Sequence, residues 1–270
     1  MKKVAIIWLL FITVIWGSIF PIQKIALFGV SPLVFNSIKF WIAFVVAFFI
    51  WKERNFKYAF VLGLLVGTAY ISQTIALKLT DASKVGFITS LYVPMVPIFS
   101  YTLEREKITK LQFLGFGISL IGFYLITGGI NKMNTGDLLT VVCAVSFAMH
   151  LVLVTKFSKR VKETSLLSYQ FLTVALISTL LSFNSSWHLT STAIWVVLYT
   201  SVVATVLPGL IQLKYQKVVG SNTAALIYTS QPVFALLLSY LLLGERLSLF
   251  QTMGAMLLLT AMVIASLKKV

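Results

Sequence analysis

The chain predicts an all-α polytopic membrane protein, with ten transmembrane helices arranged as two inverted five-helix repeats. Three observations predict it. Ten apolar, almost uncharged stretches of 18 or more residues run through its 270 residues. Lysine and arginine crowd onto alternate connecting segments, and the second half repeats the punctuation of the first. A hydrocarbon core roughly 30 Å thick needs about 20 helical residues, at about 1.5 Å each, to cross it. A mean hydropathy of +0.97, with 59% hydrophobic and 11% charged residues, excludes an ordinary globular domain.

The expected spans are 4–23, 33–51, 59–77, 85–103, 111–129, 137–155, 166–183, 193–213, 222–243 and 249–267. The first follows MKK, but its apolar run exceeds a signal peptide's core and Lys24 follows with no A-x-A-like cleavage site. It is therefore read as a retained helix. Pro32 opens the second, which carries Lys39, and Gly63-x-x-x-Gly67 in the third predicts a close helix–helix approach. The fourth holds Pro94 and Pro97, and Gln112-x-x-Gly115 opens the fifth. The sixth contains the single cysteine, Cys143, and His150; the seventh contains Gln170. The eighth carries Pro208 and Gln212, the ninth Gln231 and Pro232, and Gln251-x-x-Gly254 opens the tenth.

A net charge of +15 would suggest nucleic acid in a soluble protein. Here the cations are scattered through short loops as topology signals, so no nucleic-acid partner is expected. With the amino terminus inside, the inner segments hold Lys2, Lys3, Lys52, Arg54, Lys57, Arg105, Lys107, Lys110, Lys156, Lys159, Arg160, Lys162, Lys214, Lys217, Lys268 and Lys269. The outer segments hold only Lys24, Lys78, Lys84, Lys132 and Arg246. The bias of 16 against 5 puts both termini in the cytoplasm.

The repeat has two registers. Ser83 aligns with Ser221 and Pro94 with Pro232 at a spacing of 138. After one inserted residue, Ser100, Tyr101, Leu103, Glu106, Gln112 and Gly115 align with Ser239, Tyr240, Leu242, Glu245, Gln251 and Gly254. The halves are 1–130 and 131–270. Five spans per half is an odd number, so homologous halves cross the membrane in opposite senses. That arrangement marks secondary transporters, whose substrate sits between the repeats near the midplane.

Polar residues inside the spans nominate the site. Prolines 94 and 232, as repeat mates, are candidate hinges, because proline breaks the helical ladder where a cavity or a neighbour can satisfy it. Lys39 is the one formal charge well inside a span, at an insertion cost of order 2.5–3.5 kcal/mol at the bilayer centre. It either faces the interior, where it would attract a substrate carboxylate, or snorkels from its place early in helix two. His150 either carries a coupling proton or is a neutral imidazole bonded to a neighbouring helix. No Asp or Glu lies deep in any span: Glu53, Asp81, Glu104, Glu106, Asp137, Glu163 and Glu245 fall at ends or in loops. That weakens ion coupling through a carboxylate. The candidate substrate-binding residues are Trp16, Phe20, Lys39, Gln73, Ser90, Tyr92, His150, Tyr228 and Gln231, which combine hydrogen-bonding tips with apolar contact. No nucleophile elbow, HExxH, Walker loop or paired carboxylate is present, so neither catalysis, nor a metal, nor a cofactor is expected.

WGSIFPIQK at 16–24, LTDASKVGFITSLYVPMVPIFSY at 79–101, GDLLTVVCAVSFAMHLVLVTK at 136–156 and QPVFALLLSYLLLGERLSLFQTMGA at 231–255 resemble the EamA family of the drug/metabolite transporter superfamily. The resemblance covers essentially the whole chain. It implies ten helices in two inverted repeats, export of amino acids or related metabolites across the cytoplasmic membrane, and a cavity lined by helices one, three, four, six, eight and nine. Helix two of that family often carries Arg where this chain has Lys39. The implied partners are a small-molecule substrate and the lipid bilayer, for a monomer or a homodimer. The competing reading is a non-transporting membrane scaffold or receptor.

Overall fold

The computed structural model describes residues 2–52, 55–105 and 108–266. Arg54, Lys107, Lys268 and Lys269 of the charge tally, and Glu53 and Glu106, lie outside the described residues. All the described regular structure is helical. Helix α1 spans Lys2–Ala26, α2 Pro32–Ile50, α3 Phe56–Leu79, α4 Ala82–Thr89, α5 Tyr92–Glu104 and α6 Lys110–Ile126. Then follow α7 Thr135–Ser158, α8 Thr164–Leu181, α9 Ser191–Leu198, a π-helical stretch Tyr199–Val206 and α10 Leu207–Val219. The chain ends with α11 Ser221–Tyr228, α12 Gln231–Leu243 and α13 Leu249–Ser266. Among the described residues, eight helical segments are long and apolar enough to cross a membrane, counting α4–α5, α9–α10 and α11–α12 as one each. Lys110–Ile126 and Leu249–Ala265 are apolar but shorter.

Each expected span coincides with a helical segment, but the fourth and ninth are broken in the same way. An eight-residue helix, a two-residue interruption and a thirteen-residue helix make up each. Pro94 and Pro232 follow the interruptions and explain them. Neither has an N–H to bond the carbonyl four residues earlier, so the chain tightens into i→i+3 bonds. These are Leu91 N–H to Ile88 O at 3.1 Å and Val93 N–H to Ser90 O at 3.0 Å. In the second half they are Thr229 N–H to Leu226 O at 3.2 Å and Val233 N–H to Ser230 O at 3.2 Å. The 139-residue register also extends to the next turn. Arg105 ends α5 with φ 59° and its mate Gly244 ends α12 with φ 66°, so a left-handed cap stands in both places.

Packing joins the halves throughout. Helix α3 lies against α7 and α8, α2 against α8, α1 against α12, and α6 against α13. The Gly63-x-x-x-Gly67 face does what its spacing predicts. A methyl group at Gly63 would come within 2.6 Å of Thr173 Cβ and 2.9 Å of the Gln170 carbonyl, whereas at Gly67 the nearest atom is 3.4 Å away. Gly17 likewise lets α1 meet α12, where an added Cβ would lie 2.6 Å from Phe234 Cβ.

One end of the bundle is closed by charge. The Glu245 carboxylate, in the turn after α12, accepts bonds from the backbone N–H groups of Ala82 and Ser83 at 2.9 Å each. It also accepts from Ser83 Oγ at 2.8 Å and Lys24 Nζ at 3.1 Å. A residue of the second half thus caps the N-terminus of α4 in the first, where the helix dipole favours an anion. Beside it Lys84 pairs with Asp137 at 2.9 Å, the Asp side chain being 0% exposed. Asp137 belongs to a capping box with Asn134 at the start of α7 and accepts from Thr80. At the opposite end Lys217 pairs with Glu163 at 2.7 Å, and Lys156 donates to the Leu103 carbonyl at 2.9 Å.

Two stability outcomes follow from this packing. Gly63→Ala is expected to cost about 1–3 kcal/mol by overpacking against backbone, and Gly67→Ala less than about 1 kcal/mol, in thermal unfolding of the detergent-solubilised protein. Burial raises the Glu245 pKa, but the Ser83 and Ala82 donors and the Lys24 charge outweigh it, leaving the group below its ordinary value of 4.5. A carboxyl held lower in the folded than in the unfolded chain stabilises fully above the unfolded value, and that stabilisation vanishes as pH falls through the folded one. Melting temperature should therefore drop on acidification below about 4.5. Glu245→Gln should flatten that drop and cost about 1–2 kcal/mol at neutral pH, because the site is partly exposed.

Candidate functional site

Between the halves lies a cavity lined by residues of both. Its walls follow from helical spacing. Trp16, Ile19 and Phe20 share one face of α1, and Val66, Tyr70 and Gln73 share one face of α3. Phe147, His150 and Leu151 come from α7, and Thr205, Gly209 and Gln212 from the π-to-α segment. Gln170 and Phe171 of α8 complete that side. The two broken helices supply Thr89, Tyr92, Tyr228 and Gln231, so both interruptions open onto the cavity. None of the lining residues is Asp, Glu, Lys or Arg.

The lining is aromatic with amide tips. Trp16 meets Tyr228 edge-on at 5.3 Å between ring centroids. On the facing side Tyr70 meets Phe147 edge-on at 5.4 Å, and Phe147 reaches Tyr92 at 6.4 Å. Tyr92 Oη donates a long 3.4 Å bond to Gln231 Oε1, bridging the two interruptions. Gln73 Nε2 lies 3.4 Å from Thr89 Oγ1 and 3.6 Å from Cys143 Sγ. His150 Nε2 sits 3.0 Å from Gln170 Oε1, which requires an N–H on that nitrogen because an amide oxygen only accepts. Gln212 donates to Gln216 at 3.0 Å. Gln216 in turn donates to the Leu151 carbonyl and Thr155 Oγ1 at 2.8 Å each, tying α10 to α7. The glutamines, His150, Tyr92 and Tyr228 are buried, and weak or shared bonds such as those of Gln73, Tyr92 and Gln231 leave capacity for a ligand.

Seven of the nine residues nominated from sequence line this cavity: Trp16, Phe20, Gln73, Tyr92, His150, Tyr228 and Gln231. Ser90 does not; its hydroxyl turns back to the Gly86 carbonyl at 2.9 Å, and its neighbour Thr89 faces in instead. Lys39 neither snorkels nor lines the wall. It is 0% exposed, with its ammonium 4.3 Å from the Tyr70 ring centroid and 5.0 Å from that of Phe40. Pro94 and Pro232 stand just behind the lining, one or two residues after Tyr92 and Gln231.

The EamA-like transporter family matches residues 3–128 and again residues 134–267. The chain belongs to the EamA-like transporter family. It is accordingly a multi-pass membrane transporter. An uncharacterized transporter of Archaeoglobus fulgidus is 33% identical over 259 residues, covering 95% of this chain and 84% of the relative. The uncharacterized transporter YoaV of Bacillus subtilis is 23% identical over 272 residues, 92% of this chain and 91% of its own. A solved crystal structure shares the fold, with a TM-score of 0.74 at 18% identity, over 98% of this chain and 96% of that one.

Some lining residues of this EamA-like transporter were not nominated from the sequence. Tyr70, Phe147, Phe171 and Thr205 sit on faces that read as ordinary apolar helix, and α8, which is the seventh expected span, was not among the spans expected at the cavity. Their one available signal is helical spacing from nominated neighbours: Tyr70 lies three residues before Gln73, and Phe147 three before His150.

Gln216→Leu takes the amide donor away from the Leu151 carbonyl and Thr155 Oγ1 and leaves buried Gln212 Nε2 and Tyr228 Oη without their acceptor, and is expected to cost about 1–3 kcal/mol. Tyr92→Phe removes only the 3.4 Å bond and should cost under about 1 kcal/mol. Paired melting curves in one detergent check both.

Proposed function

We propose that this protein is a secondary transporter that exports small metabolites, amino acids or related amphiphilic compounds first, by alternating access across the cytoplasmic membrane. The observation that carries the reading is the convergence of the two proline-broken helices on one uncharged, aromatic-and-amide cavity. A solute of amino-acid size can exchange its water for glutamine and tyrosine contacts there while its apolar part meets Trp16 and Phe20. The double family match supports two homologous halves, and the odd number of spans in each makes them inverted, ten in all. Both termini are then cytoplasmic, and the Glu245 clamp is at the outer end. The hinges are the interruptions before Pro94 and Pro232, where few ladder bonds oppose bending. Nothing in the cavity supplies an activated nucleophile, so the site binds and releases without chemistry.

Proteoliposomes loaded with a mixed amino-acid pool should release at least one component. Gln73→Ala or Tyr92→Phe should slow that release about fivefold or more while leaving folding intact, since each removes a polar wall contact worth of order 1 kcal/mol or more in a desolvated site. A folded protein that releases no pool member turns the assignment toward a non-transporting scaffold. Because His150 is bonded to neutral Gln170, the release rate is expected to ignore an imposed pH gradient; a gradient-dependent rate lost in His150→Gln would instead make the histidine the coupling group.

A further inference from the structure

Lys39 is an unusual residue for its place. Its side chain is fully buried within the bundle, and its Nζ has no hydrogen-bond partner among the described residues. Four carboxylates are committed elsewhere: Asp81 and Glu245 to Lys24, Asp137 to Lys84, and Glu163 to Lys217. All seven acids of the chain lie at or beyond span ends. Apart from the Lys84–Asp137 pair at one end of the bundle, the described interior thus holds one buried lysine with no carboxylate beside it.

Aromatic faces hold that cation. Nζ lies over Tyr70 at 4.3 Å and Phe40 at 5.0 Å, within the range at which a ring's quadrupole attracts an ammonium. Tyr70 is also cavity wall. Tyr70 therefore touches both the lysine and the space a substrate would fill, and the cavity has no Asp, Glu, Lys or Arg in its lining. An ionisable residue kept at such depth signals function, and its missing partner is the chemistry to look for.

We infer that Lys39 selects substrates by charge, making the cavity a site for amphiphilic carboxylates, zwitterionic amino acids and simple organic acids alike, and excluding amines. The inference rests on the cavity's being the transport site. A carboxylate in the cavity supplies the counter-charge that Lys39 lacks among the described residues, while an amine adds a second cation to a site of low dielectric. At an effective dielectric constant of about 20 and a separation of roughly 8–10 Å, Coulomb attraction amounts to about a fifteen- to thirtyfold preference. Rotation of the Tyr70 ring would bring the groups closer and enlarge it.

Three radiolabelled probes sharing one phenyl group test this by equilibrium dialysis against the purified protein at neutral pH: phenylacetate, L-phenylalanine and 2-phenylethylamine. Wild type should bind phenylacetate and phenylalanine at least tenfold more tightly than phenylethylamine. Lys39→Met keeps the length of the side chain and removes the charge. It should weaken phenylacetate about tenfold or more and leave phenylethylamine unchanged or improved, and Lys39→Arg should restore the order. Equal affinity of wild type for anion and amine overturns the inference even if the methionine variant fails to fold. So does an equal loss for all probes in Lys39→Met; either result leaves the cavity as a binding site. No saturable binding of any probe to folded wild type overturns the inference and the transport-site reading together.

Discussion

The constraint on which this structure depends is that hydrocarbon offers no hydrogen bonds to a broken backbone. A helix crossing it must close its own ladder, and a proline that opens the ladder must stand where protein or cavity water takes up the loose ends. Pro94 and Pro232 impose that condition at equivalent places in the two halves. The i→i+3 bonds before them are the local repair, and the cavity bordered by Thr89, Tyr92, Tyr228 and Gln231 is where the irregular backbone comes to rest. The position of the cavity is thus a consequence of two missing N–H groups.

Close approach of helices holds the walls around it. Between helices in lipid, association comes from van der Waals contact and polar bonds rather than from exclusion of water. Gly17 and Gly63 remove side chains at the α1–α12 and α3–α8 crossings, which lets those helices pack closely beside the cavity. Gln216, Thr155 and the Leu151 carbonyl add the polar tie across α7 and α10. Charge is handled separately. Paired ions gather at the ends, where Glu245 caps α4 and Asp137 meets Lys84, and the aromatic cavity is left without them. Lys39 alone departs from that division.

Much of the site could be read from the chain because polar residues are rare in spans and conspicuous when present. Gln73, His150, Tyr92, Tyr228 and Gln231 stood out for that reason, and they do face the cavity. Ser90 failed because a serine in a helix can satisfy itself on the carbonyl four residues back, which makes it polar in sequence and silent in the wall. Tyr70, Phe147 and Phe171 were invisible for the opposite reason: an aromatic residue looks the same facing lipid, core or cavity. The buried Lys84–Asp137 pair was hidden by its place near helix starts, where charge is ordinarily solvated.

By itself the sequence determined that the chain is a bundle of membrane-crossing helices in two related halves, because hydrophobic length and proline position are local properties written residue by residue. Only the tertiary structure decided which side chains share the cavity, that α8 joins its wall, that Glu245 reaches across to α4, and that Lys39 hides behind Tyr70. Those facts depend on how each helix is rotated about its own axis, and in a lipid-embedded helix with weak amphipathic bias the rotation is set by its neighbours rather than by its own residues.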